Sequence, residues 1–213
     1  MNSRSVVSLL LLFGGGAFAQ TISFTSPLSV QAINSSGTSF VYSGTLTQAA
    51  TISLTASGTA CEQAGPAYCT NAAGVVVVAG SSGVGAATTF TGNIGGTTAA
   101  WNFGSLIMSV EGVGSVQIFP ASVGNGLGSS SPPTNLTLPA TSLAALGFPA
   151  FSVVSPEITF VVADNFYPDN SGAFTLAQGA SAPTTPVPAT LYLAVAGIAV
   201  LAFLFLLRRH GVS

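Results

Sequence analysis

Thr51-Ile52-Ser53-Leu54-Thr55-Ala56 alternates a hydroxyl-bearing side chain with an apolar one at every step. A period of two puts Ile52, Leu54 and Ala56 on one face and Thr51, Ser53 and Thr55 on the other, the pattern of a half-buried strand. The pattern recurs outward in both directions. Leu28, Val30 and Ala32 alternate with Ser29 and Gln31. Leu106, Met108 and Val110 share one face of the stretch from Gly104 to Val110. Ile158, Phe160 and Val162 do so against Thr159 and Val161, and Phe174 and Leu176 mark a last strand. Turn formers rich in Gly, Ser, Asn and Pro lie between these runs. Before the C-terminal apolar segment, no stretch sustains a helical period. The expected fold class is all-β, an antiparallel β-sandwich whose outer faces are solvated by neutral hydroxyls. Two Gly/Ser/Thr/Pro-rich stretches, Ala79 to Ala99 and Gly124 to Ala140, are expected to be loops or insertions.

Hydroxyl faces matter because charge is scarce. Only 4% of the 213 residues are charged and 48% are apolar, whereas about a quarter of an ordinary soluble domain is charged. That composition excludes a conventional cytosolic enzyme. It also excludes a nucleic-acid binder, which needs clustered Lys and Arg. The chain has no lysine, and its three arginines are Arg4, Arg208 and Arg209. Between them lie Glu62, Glu111, Glu157, Asp164 and Asp169, five acids without one cation.

The cations belong to the two ends. Residues 1–19 fit a cleavable signal peptide: Arg4, an apolar core from Val6 to Phe13, then Ala17-Phe18-Ala19 as a small-x-small cleavage site. An export domain is expected over residues 20–180, followed by a Pro/Thr linker over 181–188. An apolar helix over 189–207 is then expected to span the membrane: Leu191 to Leu207 extends about 26 Å at 1.5 Å per residue, and Thr190 and Ala189 can lengthen it. Residues 208–213 form a basic cytoplasmic tail behind it. Pro186-Val187-Pro188, the apolar helix and Arg208-Arg209 together resemble the PEP-CTERM sorting signal of Gram-negative surface and matrix proteins. Val187 stands where that signal carries a glutamate. The resemblance implies a membrane-bound exosortase-like enzyme as a partner that processes the tail. A plain single-pass anchor is the other reading.

Cys61 and Cys69, the only cysteines, lie in this exported stretch and are expected to form a disulfide. The single histidine, His210, falls in the basic tail. With no His, Lys or Arg in the export domain, there is no Ser-His-Asp triad, Cys-His pair or Lys base, and no zinc site of the usual ligands. Only scattered carboxylates remain, and the expectation is a non-catalytic protein.

One segment concentrates oxygen donors: Asp164-Asn165-Phe166-Tyr167-Pro168-Asp169-Asn170-Ser171-Gly172. It is expected to join a strand ending near Ala163 to one starting at Ala173. Asp, Asn, Pro and Gly are turn formers, so a plain hairpin loop is one reading. Calcium, which takes six to eight oxygen ligands, is the other. The run Asp-Asn-x-Tyr-x-Asp-Asn-Ser-Gly-x-Phe resembles the calcium loop of the galactophilic bacterial lectins, a small β-sandwich family. Val30-x-Ala32, Tyr42-x-Gly44 and Gly104-Ser105-Leu106-Ile107-Met108 are similar to other strands of that family. The resemblance implies that Asp164, Asp169 and Asn170 bind Ca2+ through side chains, Phe166 through its carbonyl, and a carbonyl near Glu62 from a second loop. In those lectins a sugar completes the calcium shell, with help from a His- and Gln-containing loop. The matching region here, Gln63 to Gly74, has no histidine. Gln63, Tyr68 and Asn165 are then the candidates for carbohydrate or exopolysaccharide contact. Against this lectin-like reading stands a purely structural matrix or envelope protein.

Overall fold

The computed structural model describes residues 20–62, 68–78, 87–124 and 132–179. The expected signal peptide, linker, apolar helix and basic tail, with Pro186, Val187, Pro188, Arg208 and Arg209, lie outside the described residues, as does Gln63. Among the described residues, no helix is long and apolar enough to cross a membrane.

The strands, in chain order, are β1 (Leu28–Gln31), β2 (Thr38–Val41), β3 (Thr45–Thr47), β4 (Thr51–Glu62), β5 (Tyr68–Thr70), β6 (Val76–Val78) and β7 (Thr89–Ile94). They continue with β8 (Thr97–Asn102), β9 (Leu106–Val110), β10 (Gly114–Gln117), β11 (Leu136–Ser142), β12 (Ser152–Val154), β13 (Glu157–Val162) and β14 (Asn170–Gln178). Two single-turn helices, α1 (Ala121–Gly124) and α2 (Leu143–Leu146), interrupt them. The fold class is therefore all-β, as expected, and every pairing between these strands is antiparallel.

A six-stranded sheet runs β1-β14-β4-β5-β6, with β11 also on β4. Its axis is the twelve-residue β4, which opens with the alternating stretch Thr51–Ala56. One edge of β4 takes β14 along Leu54–Glu62. The other edge takes β11 opposite Thr51–Ala56 and β5 opposite Ala60–Glu62. Cys61 and Cys69 are direct cross-strand partners there and are bonded, with an S–S distance of 2.05 Å. Closing so short a loop contributes about 2.5 kcal/mol in the chain-entropy account.

The second sheet runs β10-β9-β13-β2. Val30, Leu54, Ala56, Phe174 and Leu176 of the first sheet and Leu106, Met108, Val110, Ile158, Phe160 and Val162 of the second belong to one buried cluster. This shared apolar layer fits a β-sandwich.

Three expectations are corrected. The stretch Ala79 to Ala99, expected to be loop, contains β7 and the first half of β8. These form a hairpin whose Phe90, Gly92 and Ile94 alternate with Thr91 and Asn93. The two turn residues Gly95 and Gly96 have φ of +54° and +82°, the double positive φ of a type I′ turn that a side chain would strain. Gly124 to Ala140, also read as loop, contains most of β11. There Pro139 falls inside a register shift between Leu138 and Thr141, the kind of bulge at which a sheet tolerates proline. Finally, the strand expected to begin at Ala173 begins at Asn170, so Asn170, Ser171 and Gly172 are paired with Glu62, Cys61 and Ala60 rather than lying in a loop.

The β7–β8 hairpin has a second consequence. Ile94 and Trp101 form a separate buried cluster with Ile107, Val161 and Ala163, packed by Phe90, Ala99 and Tyr167. Ile107 and Val161 point away from the shared layer, so β9 and β13 are buried on both faces. This explains why each carries an apolar residue, Ile107 or Val161, at a position that the alternation assigns to the outer face. The Trp101 indole N–H donates to the Gly92 carbonyl across the hairpin at 2.9 Å.

Candidate metal site and adjoining cleft

The candidate loop begins where β13 leaves its sheet. Ala163 still pairs, its N–H donating to the Ser105 carbonyl and its carbonyl accepting from Gly104 N–H, both at 2.8 Å. Asp164 is the next residue, and it is buried. Its Oδ1 accepts the N–H groups of Asn165 and, at 2.9 Å, Phe166. Two backbone donors on one carboxylate oxygen fold the chain back in a tight Asx-type turn. A 3-10 turn over Tyr167–Asp169 follows, with Pro168 in its first turn, and the Asn170 N–H closes it on the Tyr167 carbonyl.

Asn170 then enters β14 with its side chain turned inward, only 6% exposed. Its Nδ2 donates to Asp164 Oδ2 and, at 3.3 Å, to the Ala32 carbonyl beyond β1. The amide thus ties the two ends of the loop to each other and to the first strand. Gly172, two residues on, has φ +85°, and a Cβ there would fall 2.3 Å from the Thr59 carbonyl oxygen. Glycine is required for β14 to lie this close to β4 while presenting Asn170 inward.

Of the residues singled out for a metal, Asp164 and Asn170 are in contact. Glu62 is the register partner of Asn170, so the backbone named by the lectin resemblance does run beside the amide. Asp169 sits half-buried on the 3-10 turn, and Asn165 and Phe166 are exposed. Tyr68 pairs with Glu62. Among the described residues, no group of three or more His, Cys, Asp or Glu converges on one point. Within this group Asn170 Oδ1 is buried without a hydrogen-bond partner among the described residues, as Gln20 Oε1 and Ser105 Oγ are elsewhere. An unsatisfied buried amide oxygen costs about 1–3 kcal/mol, and it is a hard oxygen ligand of the kind calcium takes. In donor chemistry, then, the buried Asp164 and Asn170 fit calcium.

The remaining acids lie elsewhere. Glu111 and Glu157 meet at the start of β13, the end opposite Asp164. The Glu157 N–H donates to Glu111 Oε2 at 3.2 Å, and the Ser39 hydroxyl donates to Glu157 Oε1. Both glutamates are exposed.

A cleft of about 390 Å³ adjoins the loop. Its floor is the outer face of the second sheet, where Ser109 and Thr159 are cross-strand partners and Val161 follows on the same face. One wall is the hairpin tip at Asn93, Ile94 and Gly95; another is Ser35 and Ser36 after β1; Asp164 and Tyr167 close it. The hairpin tip is held against β10 by the Ser115 N–H, which donates to Thr97 Oγ1 at 2.8 Å. The Tyr167 hydroxyl donates to the Val162 carbonyl at 3.0 Å. Burial, reinforced by the Asp164 charge, raises the Tyr167 pKa above the ordinary phenol value, while a hydrogen bond with the Asp164 backbone works in the other direction. The phenol therefore stays a neutral donor.

Sequence reasoning missed this cleft. Its one sequence signal is the pair Ser109 and Thr159, hydroxyls at outward positions, each between two apolar neighbours. No known protein family, curated protein or solved structure matches the chain.

Proposed function

We propose that this is an exported, non-catalytic bacterial surface protein. Its β-sandwich holds a calcium ion at the Asp164 loop, and its C-terminal segment anchors it in the membrane or is processed by an exosortase-like enzyme. Export rests on the residue order at the two ends of the chain, and absence of catalysis on the lack of any His, Lys or Arg between Ser5 and Leu207.

One observation carries the calcium reading: the buried Asp164 carboxylate touches the buried Asn170 amide, whose oxygen has no partner among the described residues. No cation lies between Ser5 and Leu207 to neutralise Asp164. Asp164 and Asn170 would hold the ion with the Asp169 side chain, the Phe166 carbonyl and a carbonyl near Glu62. Bound there, calcium would supply charge and cross-link β14 to the loop. Carbohydrate contact through the calcium follows from the lectin resemblance alone.

The second reading is a structural protein without metal or sugar, and a specific observation favours it. Both oxygens of Asp164 already accept hydrogen bonds, from Asn165, Phe166 and Asn170, so the carboxylate also works as a turn anchor.

Thermal unfolding of the full chain in detergent separates the two. Binding to the folded state alone adds about 2.7 kcal/mol at a hundredfold excess over Kd. Millimolar calcium is therefore expected to raise Tm, and magnesium to do so much less. The double variant Asp164→Ala/Asp169→Ala is expected to melt at one temperature with and without calcium. An unchanged Tm in the unaltered chain sinks the metal reading and leaves the turn anchor.

A further inference from the structure

We propose that the cleft between the β7–β8 hairpin and the outer face of the second sheet is a binding site for a neutral saccharide, and that it needs no metal. The size of the cleft, about 390 Å³, is that of a small-molecule site. Its chemistry narrows the ligand. Ser36, Ser109 and Thr159 contribute hydroxyls, Asn93 an amide and Tyr167 a phenol kept protonated by burial. Hydroxyls and amides both donate and accept, which suits a ligand that does the same at every position. Ser109 and Thr159 make no side-chain hydrogen bond to another described residue, so their capacity is free for a ligand.

Ile94 and Val161 add an apolar strip beside these groups, against which the C–H face of a sugar ring packs. An anionic ligand finds no counter-charge, because no Lys or Arg exists between Ser5 and Leu207. A cationic ligand finds Asp164 as its one charged partner in a cleft whose other lining residues are all neutral. A purely apolar ligand would strand the hydroxyls without water. A neutral polyhydroxylated molecule is what remains.

The chain carries its own probe. Trp101 is its sole tryptophan, and it is buried in one cluster with Ile94 and Val161, packed by Tyr167. Titrating the full chain in detergent and EDTA with glucose, galactose, mannose, N-acetylglucosamine, maltose and cellobiose is expected to give a saturable change in Trp101 emission with at least one of them. Galacturonate, an acid, should give none. Thr159→Val keeps the side-chain shape while removing a hydroxyl, and Asn93→Ala alters an exposed position on the hairpin, where it also removes the bond from Asn93 Nδ2 to Thr98 Oγ1. Each is expected to weaken binding about 10-fold, roughly the loss of one or two hydrogen bonds. If Thr159→Val does not fold, Asn93→Ala decides alone. No saturable response to any sugar overturns the proposal, and so does undiminished affinity in every variant that folds. Binding that appears only when calcium replaces EDTA also overturns it, and instead favours sugar contact through the metal loop. A calcium failure leaves the cleft standing, so the two readings fail separately.

Discussion

The two sheets face the same solvent with the same shortage of charge, and they keep their outer faces wet in different ways. The six-stranded sheet lines its outside with hydroxyls: Thr55 and Thr137 meet across β4 and β11 at 3.3 Å, and Ser57 reaches the Thr175 carbonyl at 3.3 Å. Its strands show clean alternation because one face is apolar and the other is polar. The four-stranded sheet places Ile107 and Val161 on its outside and lays the β7–β8 hairpin over them. Where the hairpin stops, Ser109 and Thr159 reappear, and the cleft opens at that boundary. The difference shows how a β-protein almost without charge can build a pocket: a cover that ends part-way across a sheet leaves a step.

The largest expected effect comes from breaking what the sheets share. Phe160 is fully buried between them, with its ring 5.9 Å from Phe24 and 6.3 Å from Phe40. Phe160→Ala removes a large side chain from the common layer and should cost about 4 kcal/mol, measured by chemical denaturation. Both sheets should lose amide protection together, since the layer they share is the main core of each. Protection lost in the four-stranded sheet alone would mean that the shared layer is not one cooperative unit.

Breaking the cover should cost less and stay local. Trp101→Ala strips the largest side chain from the second cluster, for which about 3 kcal/mol is expected, the low end for such a truncation, because the cluster lies at the margin of the domain. Hydrogen exchange should speed up along Thr89–Asn102 and at the outward side of β9 and β13. Amides of β4 and β14 should keep their protection. Equal acceleration in β4 would show that the hairpin is part of the main core rather than a lid on one sheet.

This asymmetry also decides what was legible in the sequence. The alternation at Thr51–Ala56 is visible because β4 has one apolar face and one hydroxyl face, and Leu28–Gln31 and Phe174–Leu176 likewise alternate apolar with polar or small residues. The hairpin is illegible in the sequence because Thr89–Asn102 mixes Thr, Gly, Ala and Asn with few apolar anchors, and Gly95-Gly96 signals a tight turn only once the flanking strands are recognised. In β11, the bulge that accommodates Pro139 has no local sequence signal. The candidate site divides along the same line. Asp164 and Asn170 are six residues apart and meet through one local turn, so their partnership could be read from the motif. Ser36, Asn93, Ser109 and Thr159 meet only because the topology folds a distant hairpin over β9 and β13, and no local pattern encodes that.

The smallest expected effect is the sharpest test of the two outer faces. Thr55→Val replaces an outward hydroxyl of the large sheet with a group of the same shape and comparable strand preference. The lost contact is the exposed bond to Thr137, so stability should change by no more than about 0.5 kcal/mol. The fluorescence response to sugar should be unaltered, because Thr55 does not line the cleft. Thr159→Val is the same chemical change on the other sheet, and it too should leave Tm nearly unchanged while weakening the sugar response. If the two variants behave alike in both measurements, the hydroxyls of both sheets serve only to hold water, and the step at the hairpin's edge has no function of its own. If only Thr159→Val alters binding, identical side chains on two faces of one domain differ in role solely through what the chain lays over them.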